Sequence, residues 1–306
     1  AGVPPSRKNP AGVLGIPEYM PPIRRRTFRV RKQEAARRPD GGIMLSIQNL
    51  SVQYGNSKEP AVENFSLEMK QGEIIGIVGE SGSGKTSVVR AVLGLLPGGG
   101  RVTGGDILFD GKSLPGCSKE EWRALRGTDI SMIFQDSGAM INPIRRIGSQ
   151  YTEYIRAHQK LSRKEAWRRG ADMLERMRLP NGERIMKSYP FQLSGGMRQR
   201  VGIAMAMTFS PRLLLADEPT SALDVTTQAQ IVRQMMELRE AYQTSILIVT
   251  HNLGLAAYMS DRLLVMKNGK TVDAGDRETI LSHPRSDYTK QLLKAVPEME
   301  GKRFVP

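Results

Sequence analysis

Apolar and polar residues alternate along Leu45-Ser46-Ile47-Gln48-Asn49-Leu50-Ser51-Val52, the period of a strand with one buried face. Ala61 to Met69 repeats the alternation, and Gln71-Gly72 supplies a turn. Ile74-Ile75-Gly76-Ile77-Val78 is apolar throughout, and so are Leu213-Leu214-Leu215-Ala216 and the centre of Ser245-Ile246-Leu247-Ile248-Val249-Thr250. Such short unbroken runs predict strands covered on both faces, the kind found in parallel sheets. Between them the spacing becomes helical: over Ser87 to Leu96, halted by Pro97-Gly98; over Ile147 to Ile155; over Lys164 to Met177, with Ala166, Trp167, Ala171, Leu174 and Met177 apolar; and over Met197 to Met207. Strands alternating with helices predict an α/β domain.

Residues 1–43 follow no such pattern. They hold ten Lys and Arg against three acids, a net +7, and seven of the 18 prolines. Proline removes backbone donors and breaks periodicity, so an extended or disordered basic arm is expected there, joined by Gly41-Gly42 to an ordered region from residue 44. The whole chain of 306 residues carries +14, so the arm holds half of the excess charge. A basic balance suits nucleic acid or an anionic membrane surface and does not choose between them. No apolar run is long enough to span a bilayer, and with no charged n-region leading into an apolar h-region a secretory signal is not expected. One cysteine, Cys117, excludes an internal disulfide and multi-cysteine metal sites, and three histidines leave little for a histidine cluster. Trp122, Trp167 and most methionines read as packing residues, and Arg145-Arg146 and Arg168-Arg169 as solvated faces.

The strongest chemical signal follows the apolar run at Ile74–Val78. Gly79-Glu80-Ser81-Gly82-Ser83-Gly84-Lys85-Thr86 fits G-x-x-x-x-G-K-[ST], between a predicted strand and a predicted helix. Glycines let the backbone wrap so that several N–H groups point at phosphate oxygens, and the helix start adds partial positive charge. Lys85 is expected to reach the β/γ-phosphates and the Thr86 hydroxyl to ligate Mg²⁺; Gly79, Ser81, Gly82, Ser83, Gly84 and Ser87 complete the nucleotide cradle. A second signal closes the run at 213–216. Asp217 is placed to hold Mg²⁺ and Glu218 to polarise a hydrolytic water, at the carboxyl end of a buried strand where open α/β sheets bind ligands. His251 ends the run at 245–250 in the same way and is a candidate γ-phosphate contact.

Leu193-Ser194-Gly195-Gly196-Met197-Arg198-Gln199-Arg200 resembles the LSGGQ signature of the ATP-binding subunits of ABC transporters, in the Met form common among peptide and nickel importers. Other motifs of that family fall in order. Tyr54 resembles the aromatic that stacks on adenine, Gln135 in Phe134-Gln135-Asp136 the Q-loop, Ser221-Ala222-Leu223-Asp224 the D-loop, and His251 the switch histidine. The resemblance covers about residues 44 to 297. It implies a P-loop NTPase cassette: a RecA-like core, an N-terminal antiparallel β subdomain and a helical signature subdomain at about residues 136–208, within an ATPase domain of residues 44–280. In that family Ser194, Gly195, Gly196 and Asp224 face a nucleotide held by a second subunit, and Gln135 joins Thr86 and Asp217 at Mg²⁺. By the same resemblance the helical subdomain would receive the membrane subunit's coupling helix beside the Q-loop.

Within 281–306, His283-Pro284, Tyr288-Thr289, Leu292-Leu293 and Val296-Pro297 resemble the tail of oligopeptide, dipeptide and nickel importer ATPases, with Arg285-Ser286-Asp287 interrupting the usual run. The implied protein is an Mg²⁺-dependent ATPase, peripheral at the cytoplasmic face of the cell membrane. Its partners would be a second ABC ATPase subunit, two membrane permeases and, indirectly, a solute-binding protein, with no nucleic acid. Short peptides lead as cargo, and nickel or a metal chelate is the alternative. A soluble ABC ATPase acting on nucleic acid or ribosomes is a different class; it usually carries two cassettes or a coiled-coil insertion, whereas this chain has one motif set and no sustained heptads.

Overall fold

The computed structural model describes residues 42–296 apart from positions 58, 139 and 222. Of the basic arm expected over residues 1–43, residues 1–41 lie outside the described residues, as does the tail end 297–306, while Ile43 already belongs to the first strand.

The first sheet is antiparallel. Strands β1 (Ile43–Tyr54), β2 (Val62–Lys70), β4 (Gly100–Phe109) and β5 (Lys112–Ser113) run in the order β2-β1-β4-β5. The second sheet has the order β10-β9-β3-β8-β7-β6, built from β3 (Ile74–Val78), β6 (Ile130–Ile133), β7 (Leu213–Asp217), β8 (Ser245–Thr250), β9 (Arg262–Lys267) and β10 (Lys270–Asp276). Its pairs are parallel except β9 with β10. The three apolar runs are its central neighbours β3, β8 and β7, and every residue in them is buried.

Alternate residues of these strands serve different cores, because successive side chains of a strand point to opposite faces. Ile246, Ile248, Leu214 and Ala216 join a core shared with the helices; Leu247, Val249, Leu213 and Leu215 join one shared with the antiparallel sheet and α1 (Lys85–Val92). The first of these cores takes in α3 (Ile147–His158), α4 (Arg163–Arg176), α5 (Gly182–Lys187), α6 (Gly195–Met207) and α7 (Val225–Tyr242). A third, smaller core lies under α8 (Leu253–Met259), α9 (Arg277–Ser282) and α10 (Asp287–Lys294). Helix α2 (Lys119–Leu125) begins with a capping box, Ser118 and Glu121 satisfying each other's backbone N–H groups.

Several local expectations shift. The first strand is longer than its alternation and is broken by a register shift around Asn49, which has φ 50°. The helix after the phosphate loop starts at Lys85 and ends at Val92, not Leu96. Gly94, at φ 64°, turns the chain before Pro97 is reached, and a side chain there would lie 2.7 Å from the Trp122 ring. Strands β4, β6, β9 and β10 have no clean alternation to announce them; β4 carries Gly100, Gly104 and Gly105. Arg169 is not a solvated residue. It donates to the Thr208 carbonyl (2.9 Å) and Gln159 Oε1 (2.6 Å) and lies over the Phe209 ring at 5.0 Å, and burial lowers its pKa. Arg145 and Arg146 are exposed, as expected. Trp122 packs under Arg126, and Trp167 packs on Gly148 while donating to Glu183 (2.8 Å).

Candidate functional site

Parallel pairing brings four strand ends to one edge. Val78 pairs with Thr250, Asp217 with Val249, and Ile133 with Ala216. The residues just past those pairs are Gly79, His251, Glu218 and, two beyond Ile133, Gln135. Residues far apart in the chain therefore share the carboxyl edge of one sheet.

The phosphate loop is shaped by what its glycines exclude. A Cβ at Gly79 would lie 2.2 Å from the Met266 carbonyl oxygen, and one at Gly84 2.4 Å from that of Ala61. Gly84 also has φ 98°, which side-chain-bearing residues rarely adopt. Gly84 is the N-cap of α1, and no side chain caps the helix. A helix start without a capping side chain, on a loop whose backbone packs too closely for side chains at Gly79 and Gly84, fits a phosphate group. Lys85, 5% exposed, turns back over the loop and donates to the carbonyls of Gly79 and Glu80 (both 2.7 Å) and to Ser83 Oγ (3.3 Å). Burial lowers its pKa, opposed by Glu218, Asp217 and Glu80. Ser81 and Gly82 form the exposed crest and Ser83 is buried beneath it.

Thr86 donates its hydroxyl to Asp217 Oδ1 at 2.9 Å. Asp217 is 1% exposed, and burial raises its pKa, with the Thr86 hydrogen bond acting the other way. Among the described residues no group of three or more His, Cys, Asp or Glu could hold a metal. One hydroxyl and one carboxylate fit Mg²⁺ chemistry, in which the cation keeps waters and takes substrate phosphate oxygens.

Glu218 has φ 46°, a left-handed conformation. In a continuing strand it would point opposite to Asp217. Its N–H still donates to the Val249 carbonyl (2.8 Å), as the parallel ladder requires, but the turn sends its carboxylate to His251, with Oε2 2.8 Å from Nδ1. The Glu218 side chain is 11% exposed and that of His251 58%. Such backbone strain costs about 1–2 kcal/mol and persists only where the surroundings enforce it. The pair can hold a water on the open side, the carboxylate accepting from that water while it also accepts the His251 Nδ1–H. Gln135 is exposed at the same edge, placed by strand register.

Tyr54, at the end of β1, reaches the first turn of α1, its hydroxyl 3.0 Å from Ser87 Oγ. Its ring packs against its cross-strand partner Gly100, where a Cβ would be 2.5 Å from the ring. Nothing near Tyr54 in the chain signals Gly100 as its platform.

Ser194, Gly195, Gly196 and Asp224 form a second locality. Ser194 caps α6, its hydroxyl accepting the Met197 N–H at 3.3 Å. Gly196 is packed, with Thr227 Cγ2 2.7 Å from a would-be Cβ. Asp224 caps α7 and spends both oxygens on Thr227, accepting its N–H (2.9 Å) and hydroxyl (2.7 Å). Hydrogen bonding lowers the Asp224 pKa. Gln199 ties this locality to the first by donating to the Pro219 carbonyl (2.7 Å), one residue past Glu218. Thr227 was not legible as part of the motif; only contact shows it.

The family model described as "ABC transporter" matches residues 62–221. The chain is 42% identical over 257 residues to a dipeptide transport ATP-binding protein, DppD, of Escherichia coli, covering 83% of this chain and 79% of the relative. It is 40% identical over 261 residues to an oligopeptide transport ATP-binding protein, AppD, of Bacillus subtilis, covering 84% and 80%. Among solved structures, the ATP-binding cassette MJ0796, a dimer in a post-hydrolysis state bound to ADP and Pi, superposes with a TM-score of 0.68 at 28% identity, covering 76% of this chain and 99% of that one. No helix among the described residues is long and apolar enough to cross a membrane. Motif order, fold and relatives agree: the chain belongs to the ABC transporter family, as an ATP-hydrolysing, ATP-binding subunit akin to the dipeptide and oligopeptide transport proteins.

Proposed function

We propose that this subunit powers the import of short peptides, working as one half of a head-to-tail ATPase dimer beneath two membrane permeases at the cytoplasmic face. One observation carries the catalytic part: Lys85, the Thr86–Asp217 pair and the Glu218–His251 pair converge on one sheet edge. The phosphate loop and the start of α1 hold the nucleotide's phosphates, Lys85 the β/γ oxygens, and Tyr54 the adenine. Thr86, Asp217 and Gln135 would hold Mg²⁺, which supplies charge neutralisation on the phosphates. Glu218 accepts the proton of the attacking water, and His251 orients it from the exposed side. In water-excluding surroundings such fixed charges act at greater strength than in solvent. Ser194, Gly195 and Gly196 serve the phosphates bound by the other subunit, which the dimeric form of the solved relative supports.

An apolar groove supports the permease part. A cavity of about 300 Å³ opens between the end of α1, β6 and the helical region, lined by Leu95, Phe134, Met140, Ile141 and Met205. Met140 is 64% exposed and the neighbouring Ile144 82%. It suits the apolar side of a permease's coupling helix, beside Gln135. Peptide cargo is supported by the names of the relatives; nickel or a metal chelate is the alternative. Affinity purification from native membranes tests the assignment. Recovery of two permeases, a second ATPase and a peptide-binding protein is expected; a nickel-binding protein would replace the cargo, and recovery of ribosomes or nucleic acid would overturn the reading.

A further inference from the structure

The chain's C-terminal region reaches back to the phosphate loop. Asp273 on β10, 6% exposed, accepts the N–H groups of Arg285 (2.9 Å) and Ser286 (3.1 Å). Ser286 caps α10 by accepting the Tyr288 N–H (3.2 Å). The interrupting residues Arg285 and Ser286 thus supply the anchor and the cap that seat α10. Tyr288 is 6% exposed, in the core with Val78, Leu253 and Val265, and the Lys267 ammonium lies 4.6 Å from its ring centroid. Its hydroxyl oxygen accepts the N–H of Glu80 at 3.0 Å.

That N–H and the Gly79 carbonyl belong to one peptide unit. A trans peptide is rigid and planar, with its N–H and C=O pointing opposite ways. Tyr288 holds the N–H end, and Lys85 holds the C=O end at 2.7 Å. Gly79 itself is packed against the Met266 carbonyl, whose oxygen would lie 2.2 Å from a Cβ placed there. The acceptor that places the Lys85 ammonium is therefore fixed from the far side by a residue of the tail helix. We propose that Tyr288 is a positioning residue for nucleotide binding: its hydroxyl sets the Gly79–Glu80 peptide, and through it Lys85, so that the seating of the C-terminal helix governs ATP affinity. This rests on the reading of the loop as the ATP phosphate site.

Titration of the full chain with a fluorescent ATP analogue tests it. Tyr288→Phe keeps the ring and removes the hydroxyl. Losing one neutral hydrogen bond should weaken nucleotide binding by about three- to tenfold. In turnover assays KM should rise more than kcat falls, and the melting temperature should move little. Wild-type affinity in Tyr288→Phe, with or without a lowered melting temperature, would overturn the proposal, as would a loss confined to kcat. If Tyr288→Phe does not fold, Asp273→Asn decides by the same titration: it loosens the anchor and leaves the hydroxyl in place, so weaker binding supports coupling and unchanged binding refutes it. Lys85→Ala in parallel separates the two ideas. If it binds like wild type the phosphate-site reading fails; if it alone is weakened, only the role of Tyr288 fails.

Discussion

Two helix starts in this chain were both read as phosphate-binding, and they are built in opposite ways. Helix α1 begins at Gly84 with φ 98°, has no side-chain cap, and turns a buried lysine back over the loop. Helix α6 begins at Ser194 with φ −63°, is capped by its own hydroxyl, and leaves Ser194 and Gly195 exposed. A Cβ at Gly84 would strike the Ala61 carbonyl, whereas one at Gly195 would come no nearer than 4.0 Å to Arg198. The first start is incomplete as a helix end and is closed by its own chain into a cradle. The second is complete as a helix end, and nothing among the described residues demands a glycine at 195. The first is built to serve a ligand of its own chain; the second, on the function proposed above, would present a positively polarised helix end to the nucleotide of another subunit.

The largest effect should come from Glu218→Gln, which keeps the shape near His251 and removes the proton acceptor. Phosphate release is expected to fall by about 10²–10⁴-fold with ATP binding retained. Turnover near that of wild type would move the base elsewhere. Lys85→Ala comes next: loss of charge-assisted hydrogen bonds should weaken nucleotide binding by about 10- to 100-fold, measured by titration. The glycines of α6 then separate packing from approach. Gly196→Val should destabilise by about 1–3 kcal/mol through its clash with Thr227, seen in denaturant melts. Gly195→Ala should stay within about 0.5 kcal/mol of wild type in stability and bind ATP normally. Its turnover should fall several-fold; unchanged turnover would mean that α6 serves only the fold.

The smallest effect concerns pH. Burial raises the Asp217 pKa above the ordinary aspartate range. A carboxyl whose folded pKa exceeds its unfolded value contributes stability below the unfolded pKa, near 3.9, and loses it as pH rises through the folded one. Asp217→Asn carries no such charge. At neutral pH without nucleotide it is expected to melt above wild type, with the gap closing toward about pH 4, while its Mg²⁺-dependent turnover falls. A gap independent of pH would assign the gain to packing.

Much of this was legible because its causes are local. Apolar runs announced β3, β7 and β8, since a strand covered on both faces admits polar residues only where they find partners, as at its ends. Ser194 was readable as a cap because a cap acts within three residues. The stop of α1 was misread because the visible breaker, Pro97, was not the operative one; Gly94 turned the chain first, and Trp122 crowds it from another element.

By itself the sequence determined the family, the candidate site residues and their order, because the phosphate loop, the paired acids and the signature each rest on short-range spacing. Only the tertiary structure decided how they are held. The left-handed turn at Glu218 aims its carboxylate at His251. Gly100 carries Tyr54, Met266 confines Gly79, and Tyr288 grips Glu80. Each of these is a contact between segments far apart in the chain, set by parallel register and core packing, and a pattern with a period of two or of three to four residues carries no record of it.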